Sequence, residues 1–258
     1  MGSRFGGLKQ LAPVGPNGEA MFDYSAADAV AAGFRRAVVI VRKEIGDEIQ
    51  DHISDAWPSE LAAEYVYQEV PVGRTKPLGT AEAVLITRDL VPGPFTVLNA
   101  DDLYGADAFR VVHRELTSDD DEHVLVGYHV NKTVMGAGTV TRGLVTVDGG
   151  YLATVDESSV DVAEDGSMSV AGRPLSGEEL ASTNFWGFRS SIFDVLEQAV
   201  QDFLAAEGKV GSEVLLPRVV DQFIRQGGLR VRVAPTDARM LGITHADDLE
   251  RVRKALAS

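Results

Sequence analysis

Apolar, β-branched runs alternate with helix-like segments through the first half of the chain, and this alternation limits the fold more than any other feature. The strand-like runs are 37–41, 64–68 and 94–99, and the helical patterns are 21–32, 45–54 and 80–89. Strands that alternate with helices are typical of a mainly parallel sheet with helices on both faces. The sequence therefore predicts a three-layer α/β/α architecture around a Rossmann-like sheet.

The pattern changes after Leu116, where short strand-like pieces are separated by Gly, Asp and Ser. These pieces are 123–130, 138–147, 151–155 and 167–171. Their spacing favours antiparallel pairing and predicts an antiparallel insertion on the same sheet. The remaining predicted elements are strands 184–188 and 229–234, a helix started by a Ser191/Asp194 capping box, and helices over 214–226 and 246–256. Because no linker or repeat interrupts the chain, we expect one domain over residues 1–258.

The composition excludes several functional classes. A formal net charge of −15 argues against nucleic-acid and anionic-membrane binding. The absence of cysteine excludes disulfides, thiolate metal sites and thiol catalysis. No segment of the sequence is long and apolar enough for a membrane span, and the chain does not begin with a charged and then apolar leader. The expected location is the cytoplasm.

The beginning of the chain is a glycine-rich turn that carries two cations, Arg4 and Lys9, among Gly2, Ser3 and Gly6. Glycines let backbone N–H groups approach an anion, arginine can bind two phosphate oxygens, and lysine is a mobile point charge. This combination predicts a phosphate-binding loop. A Gly/Ser/Arg start is also typical of a mobile tail or an expression tag.

Two carboxylates, Asp101 and Asp102, follow directly after the predicted strand 94–99. Open α/β proteins bind ligands at the carboxyl ends of such strands, and Mg²⁺ commonly takes one or two carboxylates together with phosphate oxygens and water. The pair therefore predicts a magnesium site. The alternative is a solvated turn that caps a helix starting near Gly105.

Several further segments follow in an order that resembles a known family. The chain shows G-S-R with G-G-L-K-Q-L-x-P-V-G, then L-G-T-A-x-A, N-A-D-D, a glycine turn at 138–143, a strand that ends in Glu157, and Asn184 before an apolar strand. Together these motifs resemble the sugar-1-phosphate nucleotidylyltransferases. The resemblance implies the nucleotide-diphospho-sugar transferase fold and the transfer of a nucleotidyl group from an NTP to a sugar 1-phosphate, with Mg²⁺ as cofactor and pyrophosphate as second product. It also implies a nucleotide-binding half, about 1–117, and a sugar-binding half, about 118–258.

The same resemblance implies roles for individual residues. The implied catalytic residues are Arg4, Lys9 and Asp101; the nucleotide-binding residues are Gly2, Ser3, Gly6, Gly79, Thr80 and Asp102; the sugar-binding residues are Gly138, Arg142, Glu157 and Asn184; the metal ligands are Asp101 and Thr244. Simpler interpretations remain open for some of them. Thr80 is a good helix N-cap, and Gly138 suits a hairpin. Arg74, Lys76 and Arg142 are candidate cations for the sugar phosphate, with solvated surface charges as the alternative.

The chain departs from the family at two places. Gly242 stands where many relatives have a second metal-binding Asp, which leaves the Thr244 hydroxyl as a weaker oxygen ligand. The His245 imidazole is a poor Mg²⁺ ligand, and a surface or capping role suits it better. Relatives also have an apolar strand before G-S-R, so we expect the native protein to begin upstream of Met1. Two other functions remain open: a nucleotide-binding or sugar-phosphate-binding regulatory homologue with weak catalysis, and nucleotidyl transfer to another phosphorylated alcohol. The sequence does not select the sugar, the base or the oligomeric state.

Overall fold

Strands and helices follow the alternation that the hydrophobic pattern predicts. The computed structural model describes residues 8–206, 212–243 and 246–256. The helices are α1 Met21–Ala32, α2 Gly46–Ala56, α3 Thr80–Leu85, α4 Ala106–Thr117, α5 Ile192–Ala205, α6 Leu216–Arg225 and α7 Ala246–Leu256. The strands are β1 Arg36–Val41, β2 Ala62–Tyr67, β3 Phe95–Val97, β4 Asp102–Leu103, β5 His123–His129, β6 Gly138–Asp148, β7 Tyr151–Val162, β8 Met168–Val170, β9 Arg173–Leu175, β10 Leu180–Phe188, β11 Val231–Thr236 and β12 Leu241–Gly242.

The main sheet is mixed, not mainly parallel as predicted, and has eight strands, in the order β11-β5-β10-β6-β7-β8-β9, with β3 also paired to β10. Strands β5 and β11 are parallel, whereas β10 is antiparallel to β5, β3 and β6. The predicted antiparallel insertion is confirmed, since β6 to β9 pair successively with antiparallel neighbours. Strands β1 and β2 form a parallel pair, and β4 and β12 an antiparallel pair.

Helices pack on both faces of the main sheet, which gives the predicted three layers. Leu125 of β5 lies in a core with α3, α5 and α6, while its neighbours Val124 and Val126 lie in a second core with α4. On β10, Trp186 faces the first core and Phe185 the second. This alternation is expected of a strand that is covered on both faces.

Some predicted boundaries were wrong. The helix predicted over 80–89 ends at Leu85 and is followed by a separate 3₁₀ turn, Arg88–Leu90. Strand β7 continues beyond residue 155 to Val162, because alternate polar residues face solvent along a long hairpin. Ser191 is the N-cap of α5 but makes no side-chain capping bond, and Asp194 instead pairs with Arg88.

Candidate active site

The acidic segment, Asp101 and Asp102, lies where one edge of β10 changes its neighbouring strand from β6 to β3. One edge of β10 pairs with β6 at Ala181 and Ser182 and with β3 at Trp186 to Phe188. The register of β10 shifts between these two stretches, and Asn184 takes a left-handed backbone conformation with φ of 63°. Because β3 ends at Val97 beside this gap, the polar residues that follow it face the irregular turn of β10.

A row of hydrogen bonds crosses this gap. Trp186 Nε1 donates to Asn184 Oδ1 at 2.7 Å, and Asn184 Nδ2 donates to Asn99 Oδ1 at 3.0 Å. Asn99 Nδ2 then donates to Asp102 Oδ2 at 2.9 Å. The structure therefore brings Asn184, predicted for the sugar side, and Asp102, predicted for the nucleotide side, into one network.

Tyr104 joins the same hydrogen-bond network from the buried core. Its fully buried hydroxyl accepts the Asn99 backbone N–H at 2.9 Å and lies 3.4 Å from Asp102 Oδ2 and 3.3 Å from the Thr183 carbonyl. Burial, reinforced by the Asp102 charge, raises the pKa of Tyr104 well above its usual value. The phenol thus stays neutral and keeps a proton to donate, which helps to fix Asp102.

Asp102 also explains the glycine at position 242. Gly242 pairs with Asp102 in the β12–β4 ladder, and a Cβ at Gly242 would lie 2.6 Å from Asp102 Oδ1. A side chain at 242 is therefore incompatible with the observed position of Asp102. Thr244, the other predicted metal ligand, and its neighbour His245 lie outside the described residues.

Arg142 is directed toward this region and is not a freely solvated charge. Its guanidinium donates to the Thr133 carbonyl and to Thr133 Oγ1, the latter at 3.1 Å. Burial lowers the pKa of Arg142, and the charges of Asp102 and Asp248 oppose that shift. Arginine nevertheless stays protonated in proteins. Arg142 therefore places a permanent positive charge near the acidic residues.

The hairpin of β6 and β7 carries the other predicted sugar-side residues. Gly143 pairs with Glu157 on one side and with Ser182 of β10 on the other, so β6 lies between exposed Glu157 on β7 and the turn at Asn184 on β10. A Cβ at Gly143 would lie 2.8 Å from Val155 Cγ1. Gly138 pairs with Val162 at the far end of β6. At about 3.3 Å per strand residue, Gly138 lies roughly 17 Å from Gly143, away from the acidic end.

Gly79 and Thr80 have structural roles that the sequence did not reveal. Gly79 has φ of 128°, and its Cβ would lie 2.6 Å from the Val214 carbonyl oxygen. The N-cap of α3 is Gly79, not Thr80. The Thr80 hydroxyl instead accepts the N–H of Leu216 at 2.9 Å and caps α6. Glycine at 79 is thus required by the approach of another part of the chain.

Arg74 and Lys76, candidate cations for the sugar phosphate, contact the same neighbouring segment. Arg74 donates to the Ser212 carbonyl, and Lys76 Nζ lies 3.8 Å from Glu213 Oε2. Beside them, Gln68 Nε2 donates to the Gly79 carbonyl at 3.0 Å. These contacts stabilise the start of α3 against segment 212–216.

The end of the predicted phosphate loop is anchored by a buried carboxylate. Asp23 accepts the Ala20 N–H at 2.7 Å, His52 Nε2 at 2.8 Å and Trp57 Nε1 at 3.0 Å. Residues 9–11 form a 3₁₀ turn, in which only the backbone of Lys9 is described. Gly2, Ser3, Arg4 and Gly6 lie outside the described residues.

Sequence reasoning assigned no role to Asn99, Tyr104 or Trp186, although all three position the acidic network. A polar residue directly after a buried strand was the available signal for Asn99. Trp186 is completely buried in the core. Its N–H group has a polar partner in addition, as buried tryptophans usually do.

Metal-binding capacity at this site rests on few side chains. Among residues 8–206, 212–243 and 246–256, no group of three or more His, Cys, Asp or Glu is placed to hold a metal ion. Asp101 and Asp102 remain as half-buried carboxylates at the strand end.

Among residues 8–206, 212–243 and 246–256, no helix is long and apolar enough to cross a membrane.

Comparison with known proteins settles the family. The family model for nucleotidyl transferases matches residues 6–159, more than half of the 258 residues. The chain belongs to the nucleotidyl transferase family. The nucleotidyl-transfer class that the motifs predicted is therefore confirmed. Among curated proteins, no match to this nucleotidyl transferase was found.

Three solved structures share the fold of this nucleotidyl transferase. A Bacillus anthracis protein designated a glucose-1-phosphate thymidylyltransferase, in complex with sucrose, is 14% identical, with 96% of this chain and 86% of that chain covered and a TM-score of 0.67. HddC from Yersinia pseudotuberculosis is 14% identical, with 99% and 95% covered and a TM-score of 0.60. The CTP:phosphocholine cytidylyltransferase LicC from Streptococcus pneumoniae is 10% identical, with 96% and 89% covered and a TM-score of 0.62. These likenesses confirm the predicted α/β fold.

Proposed function

We propose that the chain transfers a nucleotidyl group from an NTP to a sugar 1-phosphate and releases pyrophosphate. The observation that carries the proposal is the hydrogen-bonded row from Trp186 through Asn184 and Asn99 to Asp102. This row joins the antiparallel strands, which suit an acceptor, to the acidic strand end, which suits a polyphosphate with its metal. Transfer between two bound substrates requires these two surfaces to be adjacent.

The reaction requires no protein nucleophile. A phosphate oxygen of the sugar 1-phosphate attacks the α-phosphorus of the NTP, and a new P–O bond forms. The bond from the α-phosphorus to the oxygen that bridges it to the β-phosphorus breaks, and pyrophosphate leaves with that electron pair. Catalysis then consists mainly of alignment and of charge neutralisation.

Both substrates are anions and the chain itself is acidic, so the site must concentrate positive charge. Arg142 supplies a guanidinium near Asp102 and is suited to the phosphate of the acceptor. On the nucleotide side we propose Arg4 and Lys9, with the backbone of the glycine-rich turn around Gly2, Ser3 and Gly6. Gly79 and Thr80 remain proposed contacts of the nucleobase.

The acidic residues fit a magnesium ion. Mg²⁺ prefers oxygen ligands and commonly takes one or two carboxylates with phosphate oxygens and water. We propose Asp101 as the direct ligand, with Thr244 as a weaker second donor, while Asp102 is held by Asn99 and occupies the space beside Gly242. When bound, the ion would neutralise charge on the phosphates.

The acceptor is proposed to be a sugar because polar groups with mixed hydrogen-bonding capacity line its side. Asn184 has both a donor and an acceptor, and Glu157 is an acceptor on β7, two strands away in the sheet. A site that bonds hydroxyl groups rejects analogues that lack them. The base and the sugar are left to experiment.

Pyrophosphate release tests the proposal. Four NTPs are combined with a panel of sugar 1-phosphates and with phosphocholine as a non-sugar acceptor, in the presence of Mg²⁺. We expect release with at least one sugar 1-phosphate and its loss on addition of EDTA. Release with phosphocholine alone would replace the sugar by another phosphorylated alcohol. Nucleotide binding without release from any pair would instead indicate a binding protein.

A further inference from the structure

The C-terminal helix α7 contacts both sides of the candidate site. On the nucleotide side, Arg253 Nε and Nη2 donate to the Pro13 carbonyl at 3.1 and 2.7 Å. Pro13 lies between the 3₁₀ turn at residues 9–11 and the start of α1, in the exit of the proposed phosphate loop. A planar guanidinium that donates twice to one carbonyl fixes the direction of that backbone group.

Another arginine of the same helix contacts the acceptor side. Arg251 Nη1 donates to the Met135 carbonyl at 3.2 Å. Met135 is two residues after Thr133, whose carbonyl and hydroxyl hold the Arg142 guanidinium. Arg251 therefore contacts the segment that positions Arg142, the residue proposed to bind the phosphate of the acceptor.

Between the two arginines, Val252 is fully buried in an apolar cluster that joins several parts of the site. The other buried members of this cluster are Val14, Met21, Leu103, Leu241 and Ile243. Leu103 directly follows Asp102. One short helix therefore packs against the loop exit and the acidic strand, and donates hydrogen bonds to the backbone on both sides of the site.

We propose that α7 acts as a strap that holds the nucleotide loop and the acceptor segment in register, with Arg253 and Arg251 as its positioning residues. The inference rests on the proposed function, because it assigns one arginine to each substrate. Neither arginine needs to touch a substrate. Each acts through a backbone carbonyl that it orients.

The test compares Arg253→Ala with Arg251→Ala, and uses Lys254→Ala as a control for loss of a positive charge at an exposed position on the same helix. We expect Arg253→Ala to raise KM for the NTP about fivefold and Arg251→Ala to raise KM for the acceptor about fivefold, the effect of losing one hydrogen bond of ordinary net strength. Each should leave the other KM within about twofold and kcat nearly unchanged. Arg253→Lys should restore part of the NTP affinity.

A second measurement does not depend on turnover. Hydrogen exchange of the full-length protein without substrates should be faster at residues 14–20 in Arg253→Ala than in wild type, and unchanged there in Lys254→Ala. The proposal that α7 acts as a strap would be overturned by unchanged hydrogen exchange at residues 14–20 in Arg253→Ala. It would also be overturned if the KM values for the NTP and the acceptor rose together in both arginine variants. If wild type bound no nucleotide while exchange still changed as expected, the proposed function would fail but the structural coupling would remain.

Discussion

The two ends of the main sheet both collect polar side chains, but they use them differently. At the carboxyl end, Asn184, Asn99 and Asp102 are bonded side chain to side chain. At the amino end, the Arg189 guanidinium donates to backbone carbonyls, including that of Leu116 at 2.9 Å. At the carboxyl end these bonds fix the positions of polar groups that a ligand can meet, whereas at the amino end Arg189 joins backbone segments of the fold.

The amino end nevertheless has the composition of a catalytic site. A cavity of about 340 Å³ is lined by His123 and Ser191, and His123 Nε2 lies 3.4 Å from Ser191 Oγ. However, His123 Nδ1 accepts the Arg189 backbone N–H, so the ring proton lies on Nε2 and points at the serine. Burial also lowers the pKa of His123 to about 4. This histidine cannot accept a proton from Ser191, and the pair is structural.

The largest expected effect separates these two ends. Asp101→Ala should lower kcat by about 10³-fold or more, because it removes a proposed metal ligand and compensation for phosphate charge at one centre. Asp102→Ala should cost less, since its main partners are Asn99 and Tyr104. Ser191→Ala, at the other end, should leave kcat within about twofold. The measurement is pyrophosphate release over a Mg²⁺ titration, and equal, mild losses in both Asp variants would remove Asp101 from its role.

The next effect tests the space beside Asp102. Gly242→Ala places a Cβ 2.6 Å from Asp102 Oδ1, so the carboxylate must move. A displacement near 1 Å at a reacting centre costs about 100-fold in rate. Gly93→Ala is the matched control, because a Cβ there meets no atom within 4 Å. Normal kcat/KM in Gly242→Ala would show that Asp102 need not keep its observed position.

Regular elements were predictable from sequence, and the connections between them were not. Helix α7 was predicted over 246–256, and α1 over 21–32, because periodic apolar residues and a closing Gly33 mark them. The row from Trp186 to Asp102 depends on how β3 and β6 divide along β10, and Asn184 and Asn99 are 85 residues apart. No local pattern encodes that register.

In the candidate site, too, some features were predictable from the sequence and others were not. Asp101, Asp102 and Asn184 could be named as candidates from the sequence because a residue type in a motif suggested a chemistry. The roles of Gly79 and Thr80 in approaching Val214 and capping α6 depend on a segment more than 130 residues away. The glycine-rich turn with Arg4 and the metal role of Thr244 stay predictions.

A smaller effect tests the strained turn at the carboxyl end. Asn184→Gly keeps the left-handed backbone available but removes the side chain that links Asn99 and Trp186. We expect kcat/KM for the acceptor to fall about tenfold, the cost of roughly one buried hydrogen bond. Asn184→Ala should lose the same contacts and, in addition, about 1 kcal/mol of stability to backbone strain. Identical melting temperatures for the two variants would contradict the strain argument.

The smallest effect on activity is expected at the amino end, where His123→Gln tests whether the polar groups there are only structural. Glutamine can accept the Arg189 N–H and donate toward Ser191, as neutral histidine does, but it does not titrate. His123 takes up a proton near pH 6.5 in the unfolded chain but only near pH 4 in the folded chain. The stability that neutral His123 contributes is therefore present above about pH 6.5 and is lost as the pH falls toward 4. That loss amounts to about 3 kcal/mol at most.

Urea unfolding at several pH values between 7.5 and 4.5 measures this loss. The free energy of unfolding should decline less steeply with falling pH for His123→Gln than for wild type, with activity at pH 7.5 within about twofold. Parallel curves would show that His123 is not held neutral, and a large loss of activity would place chemistry at this end of the sheet after all.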